Sequence, residues 1–504
     1  MIMMSLCQSA QALAQHSFKK SNDLDAQSLA EAYPNTTHFI WLNKQQLTNH
    51  AHDAIDFIST APRHGLSSNK YHLTELKQFD PSADKSTAER FEFLLTDGLL
   101  NLISDLKIGK LNPAQADPDW FIPQQKFDAV AFLQHAVLQK HLKSELKTLI
   151  PNTHEYHALT QALALYQRYV DRGGWNTVPK SPLLYLGDHH PNIIVIRTRL
   201  AFEDPLLLLS AKKPSIYYNE ILEQAVRNFQ TKYGLKIDGV IGSNTIKAMN
   251  ISAQERVQQL KIALERRRWM PTNLGPRYLI INLANYSLSA FENGEEKLAM
   301  RVIVGRKSRQ TPSFTANMKH LVFNPYWNVP KKLARLDLLP KQQQNFNYFY
   351  KQGIRVFSRE NGKKIEHDPY LIDWESISYR NFPYILKQDP GEHNALGRIK
   401  FMFKNQWNIY LHDTPERALF SQDIRSLSSG CIRVEDPIAL AEFSLNTTAT
   451  EKIIALINSK ENKGRRVTNL LAIYAVYFTV SIDQDQIRFS PDTYQRDKRM
   501  ADLL

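Results

Sequence analysis

The chain has 504 residues, 43% hydrophobic, 22% charged and 10% aromatic, proportions of an ordinary globular protein that exclude disordered and collagen-like architectures. At about 150 residues per domain the length suggests roughly three domains. Lys and Arg exceed Asp and Glu by 63 to 50, a net charge of +13 that favours anionic polymers without saying which. With no zinc finger, RNP-like aromatic motif or long basic helix, nucleic acid is not the expected partner. The densest basic run, Arg266-Arg267-Arg268, reads as a solvated face.

Two cysteines cannot build a disulfide framework. Cys7 falls in the apolar start Met1-Ile-Met-Met-Ser-Leu-Cys7, followed by Ala10-Gln-Ala12 and Ala12-Leu-Ala14, small-residue patterns of a signal-peptidase site. Residues 1–20 are read as a residual signal segment or an N-terminal anchor, and the protein as exported to the periplasm. Cys431 is then the one thiol left in an oxidising compartment, where an idle thiol is a liability, so it asks for a function. The longest apolar run, Leu470 to Phe478, is far short of the ~20 residues that cross a bilayer and reads as a buried strand.

Residues 21–185 read as an α-helical scaffold, with Ser86-x-x-Glu89 as a capping box opening Phe91 to Leu100 and further helices at Ala129 to Leu142 and His157 to Tyr169. Residues 186–252 read as a module of three helices, Ile194 to Leu200, Ile221 to Tyr233 and Thr245 to Met249, with Gly234 as a C-cap and Asp238-Gly239 as a tight turn. Its pattern Ala225-Val-x-x-Phe229-Gln, Gly234-Leu, Asp238-Gly-x-x-Gly242 and Thr245 resembles the three-helix peptidoglycan-binding domain.

A linker-like stretch from Glu265 to Gly275 leads into strands at Arg277 to Leu283, Ser287 to Phe291, Leu298 to Val304 and His320 to Asn324, with Asn293-Gly294 as a hairpin turn. Residues from about 330 to 385 interrupt this pattern with Lys331 to Pro340 and the aromatic Phe346 to Tyr350, an insertion over one end of a β domain. Strands resume at Ile399 to Phe403, Trp407 to Leu411 and Leu470 to Val480, so the β domain is expected over 275–482, followed by a tail at 483–504. The fold expected is multidomain α+β.

The residues that carry chemistry are His412 and Cys431, separated by 19 positions. A thiol needs a base or a cation to become a nucleophile near neutral pH, and His412 is the base available on the preceding strand. Ser428, Ser429 and Gly430 are small enough for the amides of Gly430 and Cys431 to approach a substrate oxyanion.

His412 followed by Ser-x-Gly-Cys431-Ile-Arg433 resembles the YkuD-type L,D-transpeptidase site, and Pro390-Gly-Glu-His-Asn-Ala-Leu-Gly-Arg-Ile-Lys-Phe-Met-Phe403 resembles its large Gram-negative, YcbB-like branch. The family's common motif has His immediately before Gly-Cys, where this chain has Ser429. The resemblance implies that Cys431 forms a thioester with a tetrapeptide stem, releases its terminal D-alanine, and passes the acyl group to meso-diaminopimelate of a second stem in a 3-3 crosslink. It further implies His412 as the proton carrier, Arg433 as a loop-ordering or carboxylate-binding residue, and Tyr410, Trp327, Asn394 and Asp413 as substrate contacts. The insertion would be a capping subdomain, carbapenems would acylate Cys431, and the partners would be peptidoglycan stems and glycan and other cell-wall synthesis enzymes. Neither a metal nor an organic cofactor is expected, since the Cys and His set lacks ligand spacing. A non-catalytic wall-binding scaffold and a hydrolase or carboxypeptidase on the same site remain alternatives.

Overall fold

The computed structural model describes residues 39–504 apart from 45, 81–83 and 211–213, so the segment read as a signal, residues 1–20, lies outside the described residues. The chain forms two compact units, one ending at Thr272 and resuming at Phe478, the other spanning Asn273–Tyr477.

The first unit is helical. α1 (Asn49–Ser59), α2 (Lys85–Ile108) and α3 (Ala129–Leu138) enclose a core that includes Trp41, Phe57, Leu99, Leu102, Ile103 and Leu133. The cap of α2 is Asp84, whose carboxylate accepts from the Thr87 N–H at 2.8 Å. Asp84 takes the free amide of the first turn before Ser86 can, so the capping box expected at Ser86 and Glu89 gives way to an aspartate cap. α4 (His154–Asp171), α5 (Asn192–Leu200), α6 (Glu220–Lys232), α7 (Ser243–Met249) and α8 (Ala253–Arg268) share a second core around Tyr166, Ile196, Phe229, Met249 and Leu260. The three short helices of the module thus have no core of their own; α4 and α8 complete it.

α8 overturns one expectation. Arg266 and Arg268 are buried rather than solvated. Arg268 pairs with Glu265 at 2.5 Å, Arg266 with Asp497 at 2.5 Å, and Arg267 with Glu155. The stretch opening at Glu265 is therefore the last turn of a buried helix, with the linker starting only after it.

In the second unit β1 (Arg277–Asn282), β2 (Ser287–Glu292), β3 (Glu295–Gly305) and β4 (Ser313–Phe323) precede the insertion. The insertion carries β5 (Trp327–Asn328), β6 (Ile354–Glu360), β7 (Lys363–His367) and β8 (Ile385–Gln388), paired in the order β7-β6-β8-β5. Its own small core holds Leu338, Phe349, Val356, Trp374 and Leu386, so it is a packed subdomain and not a loop. After it come β9 (Ile399–Phe403), β10 (Leu411–His412), β11 (Ser426–Ser428), β12 (Ile432–Val434), β13 (Lys463–Arg466) and β14 (Ala472–Val476). The order β9-β10-β12-β3-β2-β1-β14-β4 closes on itself, because β4 also pairs β9.

The strand expected over Trp407 to Leu411 is only Leu411–His412. Asn405 bends the chain before it: its Oδ1 accepts from the amides of Trp407 (3.1 Å) and Ile409 (3.0 Å), its Nδ2 donates to the Ile409 carbonyl (2.6 Å), and Asn408 takes a left-handed φ of 54°. Past β14 the chain re-enters the first unit as a hairpin, Val480–Asp483 with Gln486–Phe489, and a helix, Arg496–Ala501. Val480 and Phe489 lie in the core shared by α4, α6 and α8, so the residues read as a tail are part of that core's wall.

Candidate active site

β10 lies between β9 and β12, antiparallel to the first and parallel to the second. Register pairs Lys400 with His412 and His412 with Arg433, while Phe401, Leu411 and Ile432 stand beside one another. Because successive side chains of a strand alternate between faces, Phe401, Leu411 and Ile432 enter the core, where all three are fully buried. Lys400, His412 and Arg433 occupy the opposite face, and two residues back along their strands so do Tyr410 and Cys431. The Ile432 N–H donates to the Tyr410 carbonyl at 3.1 Å, which fixes Cys431 level with Tyr410. A separation of 19 in sequence becomes a neighbouring position on a parallel ladder.

His412 is buried, and its Nδ1 lies 2.5 Å from the Asp413 carbonyl. A carbonyl only accepts, so Nδ1 carries the proton and Nε2 is left as the base. Burial, with the Arg433 and Lys400 cations nearby, pulls its pKa down to about 3, so the ring is neutral at neutral pH. Burial pushes the Cys431 thiol up, against the opposing influence of Tyr410 and the charges of Lys400 and Arg433. The resting pair is therefore neutral thiol and neutral imidazole, not a preformed ion pair. Cys431 Sγ lies 4.0 Å from the Asn408 carbonyl. The Tyr410 hydroxyl stands near Cys431 and Trp327, and burial, with Cys431, raises its pKa. The Tyr410 and His412 rings meet edge to face at 5.6 Å.

The loop before Cys431 is braced from within. Ser428 Oγ donates to the Cys431 carbonyl at 2.5 Å and accepts from the Gly430 N–H at 3.1 Å, while Thr311 Oγ1 donates to the Gly430 carbonyl at 2.9 Å. Gly430 has a φ of 118°, a conformation that glycine alone adopts cheaply. Its amide is occupied by Ser428, so of the two amides expected to face an oxyanion only that of Cys431 is left for it. Ser429 accepts from Arg309 at 3.1 Å. Arg309 and Arg306 in turn hold Asp337 of the inserted subdomain, at 2.5 and 2.8 Å, tying that subdomain to the loop of the thiol.

Two of the expected substrate contacts are engaged within the chain. Asn394 is buried, donating to the carbonyls of Pro325 (3.0 Å) and Asp389 (2.9 Å) and accepting from the Leu396 amide (2.8 Å). Asp413 is also buried; it accepts from the Arg398 amide at 2.9 Å and pairs with Arg417 at 3.2 Å. Arg433 is engaged by Glu416, which favours loop ordering over carboxylate binding. Trp327 and Tyr410 do reach the thiol's surroundings. Sequence reading missed Lys400, Arg309 and Asp337. The alternation Ile-Lys-Phe-Met-Phe over Ile399–Phe403 is the signal that would have found Lys400. Arg309 and Asp337, 28 residues apart, meet only through tertiary contact.

Gly397 tests the Asp413 support. It has a φ of 62°, and a Cβ there would stand 2.4 Å from the Asp413 carboxylate. G397A is expected to displace Asp413, whose carbonyl orients His412, costing about 1–3 kcal/mol of stability. Thermal unfolding and the rate of Cys431 acylation should fall together; an unchanged acylation rate would sever Asp413 from His412.

Residues 276–455 match the profile of the L,D-transpeptidase catalytic domain, YkuD. Residues 189–249 match one described as "Putative peptidoglycan binding domain", and residues 27–163 one described as "Scaffold domain". The chain thus carries a YkuD L,D-transpeptidase catalytic domain and a peptidoglycan-binding domain in one polypeptide. A curated relative from Haemophilus influenzae, named "Putative L,D-transpeptidase", is 37% identical over 225 residues, which are 44% of this chain and 45% of the relative. The match spans less than half of that protein. Among solved structures, an L,D-transpeptidase from Mycobacterium smegmatis is 12% identical over 40% of this chain and 58% of its own, at a TM-score of 0.21. One from Xylanimonas cellulosilytica is 13% identical over 59% of this chain and all of its own, at 0.19. Likenesses this slight carry no argument about the fold.

Proposed function

We propose that the protein is a cysteine-dependent L,D-transpeptidase of peptidoglycan, acting outside the cytoplasm and, in a Gram-negative cell, in the periplasm. Cys431 Sγ attacks the carbonyl between the third residue of a tetrapeptide stem and its terminal D-alanine, and His412 Nε2 takes the thiol proton as the bond forms. The Cys431 amide faces the developing oxyanion. His412 returns the proton to the departing D-alanine nitrogen, leaving a thioester. The side-chain amine of meso-diaminopimelate in a second stem then attacks, surrendering a proton to His412 and freeing the thiol as the 3-3 crosslink forms.

The observation that carries this reading is the parallel register of β10 and β12, which sets His412, Tyr410 and Cys431 on one face with the Nε2 lone pair unspent. The capping subdomain, tied through Asp337 to Arg309 and Ser429, supports transfer over hydrolysis by keeping water from the thioester. The same oxyanion geometry accommodates a β-lactam carbonyl, so carbapenems are expected to acylate Cys431. The peptidoglycan-binding domain would hold the glycan, and other cell-wall synthesis enzymes are the expected protein partners.

Intact-protein mass spectrometry with a disaccharide-tetrapeptide tests the reading. Wild type should gain the mass of the substrate less D-alanine and yield a 3-3 dimer, whereas C431A should gain nothing and release no D-alanine. Tripeptide without dimer would indicate a carboxypeptidase, and wild type without adduct a wall-binding scaffold.

A further inference from the structure

The face that carries Cys431 and His412 is rich in cations, and almost all of them are engaged. Arg433 is held by Glu416, Arg306 and Arg309 by Asp337, and Arg417 by Asp413. Lys400 differs. It is level with His412 in the ladder, its Nζ lies 3.7 Å from the centroid of the Tyr410 ring, and it is half-buried. Among the described residues no carboxylate pairs with it. Burial lowers its pKa, and the one group that would favour its ammonium, Cys431 in its ionised form, rests as a neutral thiol.

A half-buried ammonium without a counter-ion is costly, and a ring face compensates only in part. An arriving anion would supply what is missing. Resting on the transpeptidase reading, we propose that Lys400 binds the terminal carboxylate of the donor stem, the group two bonds beyond the scissile nitrogen. Cys431 at the carbonyl and Lys400 at the carboxylate would then select a stem that ends one residue past the bond to be broken. The ion pair is made before attack and is lost when D-alanine leaves, which helps to clear the site for the amine acceptor.

The test compares a tetrapeptide stem bearing a free C-terminal carboxylate with its C-terminal amide, reading the second-order rate of Cys431 thioester formation by intact mass. Wild type should favour the free acid by about 10- to 100-fold, the range of one charge-assisted hydrogen bond. In K400M the ratio should fall close to one through loss of the free-acid rate. K400R should keep most of the preference, and K400Q repeats the comparison should K400M fold poorly. Equal slowing of both stems with the ratio kept would make Lys400 a partner of the thiol and overturn the inference alone, as would an unchanged ratio. A wild type that forms no thioester with either stem overturns the transpeptidase reading and this inference with it.

Discussion

H412Q should slow acylation of Cys431 by about 10²–10⁴-fold, the contribution of a positioned general base, while leaving the β unit folded. The wild-type pH profile should carry the signature of the buried ring. Because the His412 pKa lies near 3, Nε2 stays unprotonated far below the ordinary histidine value. Acylation should therefore run level between about pH 5 and 7, with no step at about 6.5. An acid-side loss centred near 6.5 would show an exposed, ordinary imidazole and would overturn the neutral-pair description. Linkage gives the matching stability trend. The unfolded chain binds a proton on this ring at a higher pH than the folded chain does, so stability rises with pH between about 3 and 6.5 and is lost as pH falls through that window.

E265A should be the most damaging change outside the β unit. Glu265 is fully buried, accepting from the Leu111 amide at 2.7 Å, the Trp269 indole at 3.1 Å and Arg268 at 2.5 Å. Arg268 in turn donates to the His64 carbonyl at 2.9 Å and the Tyr156 hydroxyl at 3.3 Å. Removing the carboxylate leaves a buried guanidinium uncompensated and two donors unsatisfied, a loss of about 3–5 kcal/mol. Denaturant unfolding followed by tryptophan fluorescence should show the transition of the helical unit moving to lower denaturant. Acylation by a small β-lactam reports separately on the β unit. A shift under about 1 kcal/mol would mean that relaxation or water supplies new partners.

That Cys431 and His412 would stand near one another was legible because a thiol that is to react needs a base and because the alternation around each announces a strand. What the sequence could not supply was the register: a one-residue slip would send Cys431 to the core side, and only the pairing of β10 with β12 excludes it. The helices of the module were legible from apolar spacing and turn glycines, since both are local. Arg266 to Arg268 were misread because their partners Asp497, Glu155 and Glu265 are mostly far away in sequence, and a charge run without visible partners looks solvated. The structural bonds of Asn394 and Asp413 were illegible for a related reason. A polar side chain near a catalytic motif has the same appearance whether its bonds go to a ligand or to backbone amides and carbonyls, as here.

The return of the chain after Tyr477 sets an order of assembly. Val480 and Phe489 belong to the core built on Tyr166, Phe229 and Leu260, and Asp497 is the partner of Arg266. On the ribosome, α4 to α8 emerge more than 200 residues before that hairpin, and the whole β unit is made in between. The helical unit, synthesised first, is thus the last to close its core. Until residues 480–489 arrive, the apolar surface they cover stays open, the kind of exposure on which intermediates aggregate and chaperones act. Truncation at residue 478 would therefore spare every residue of the thiol site and injure the unit farthest from it in chemistry.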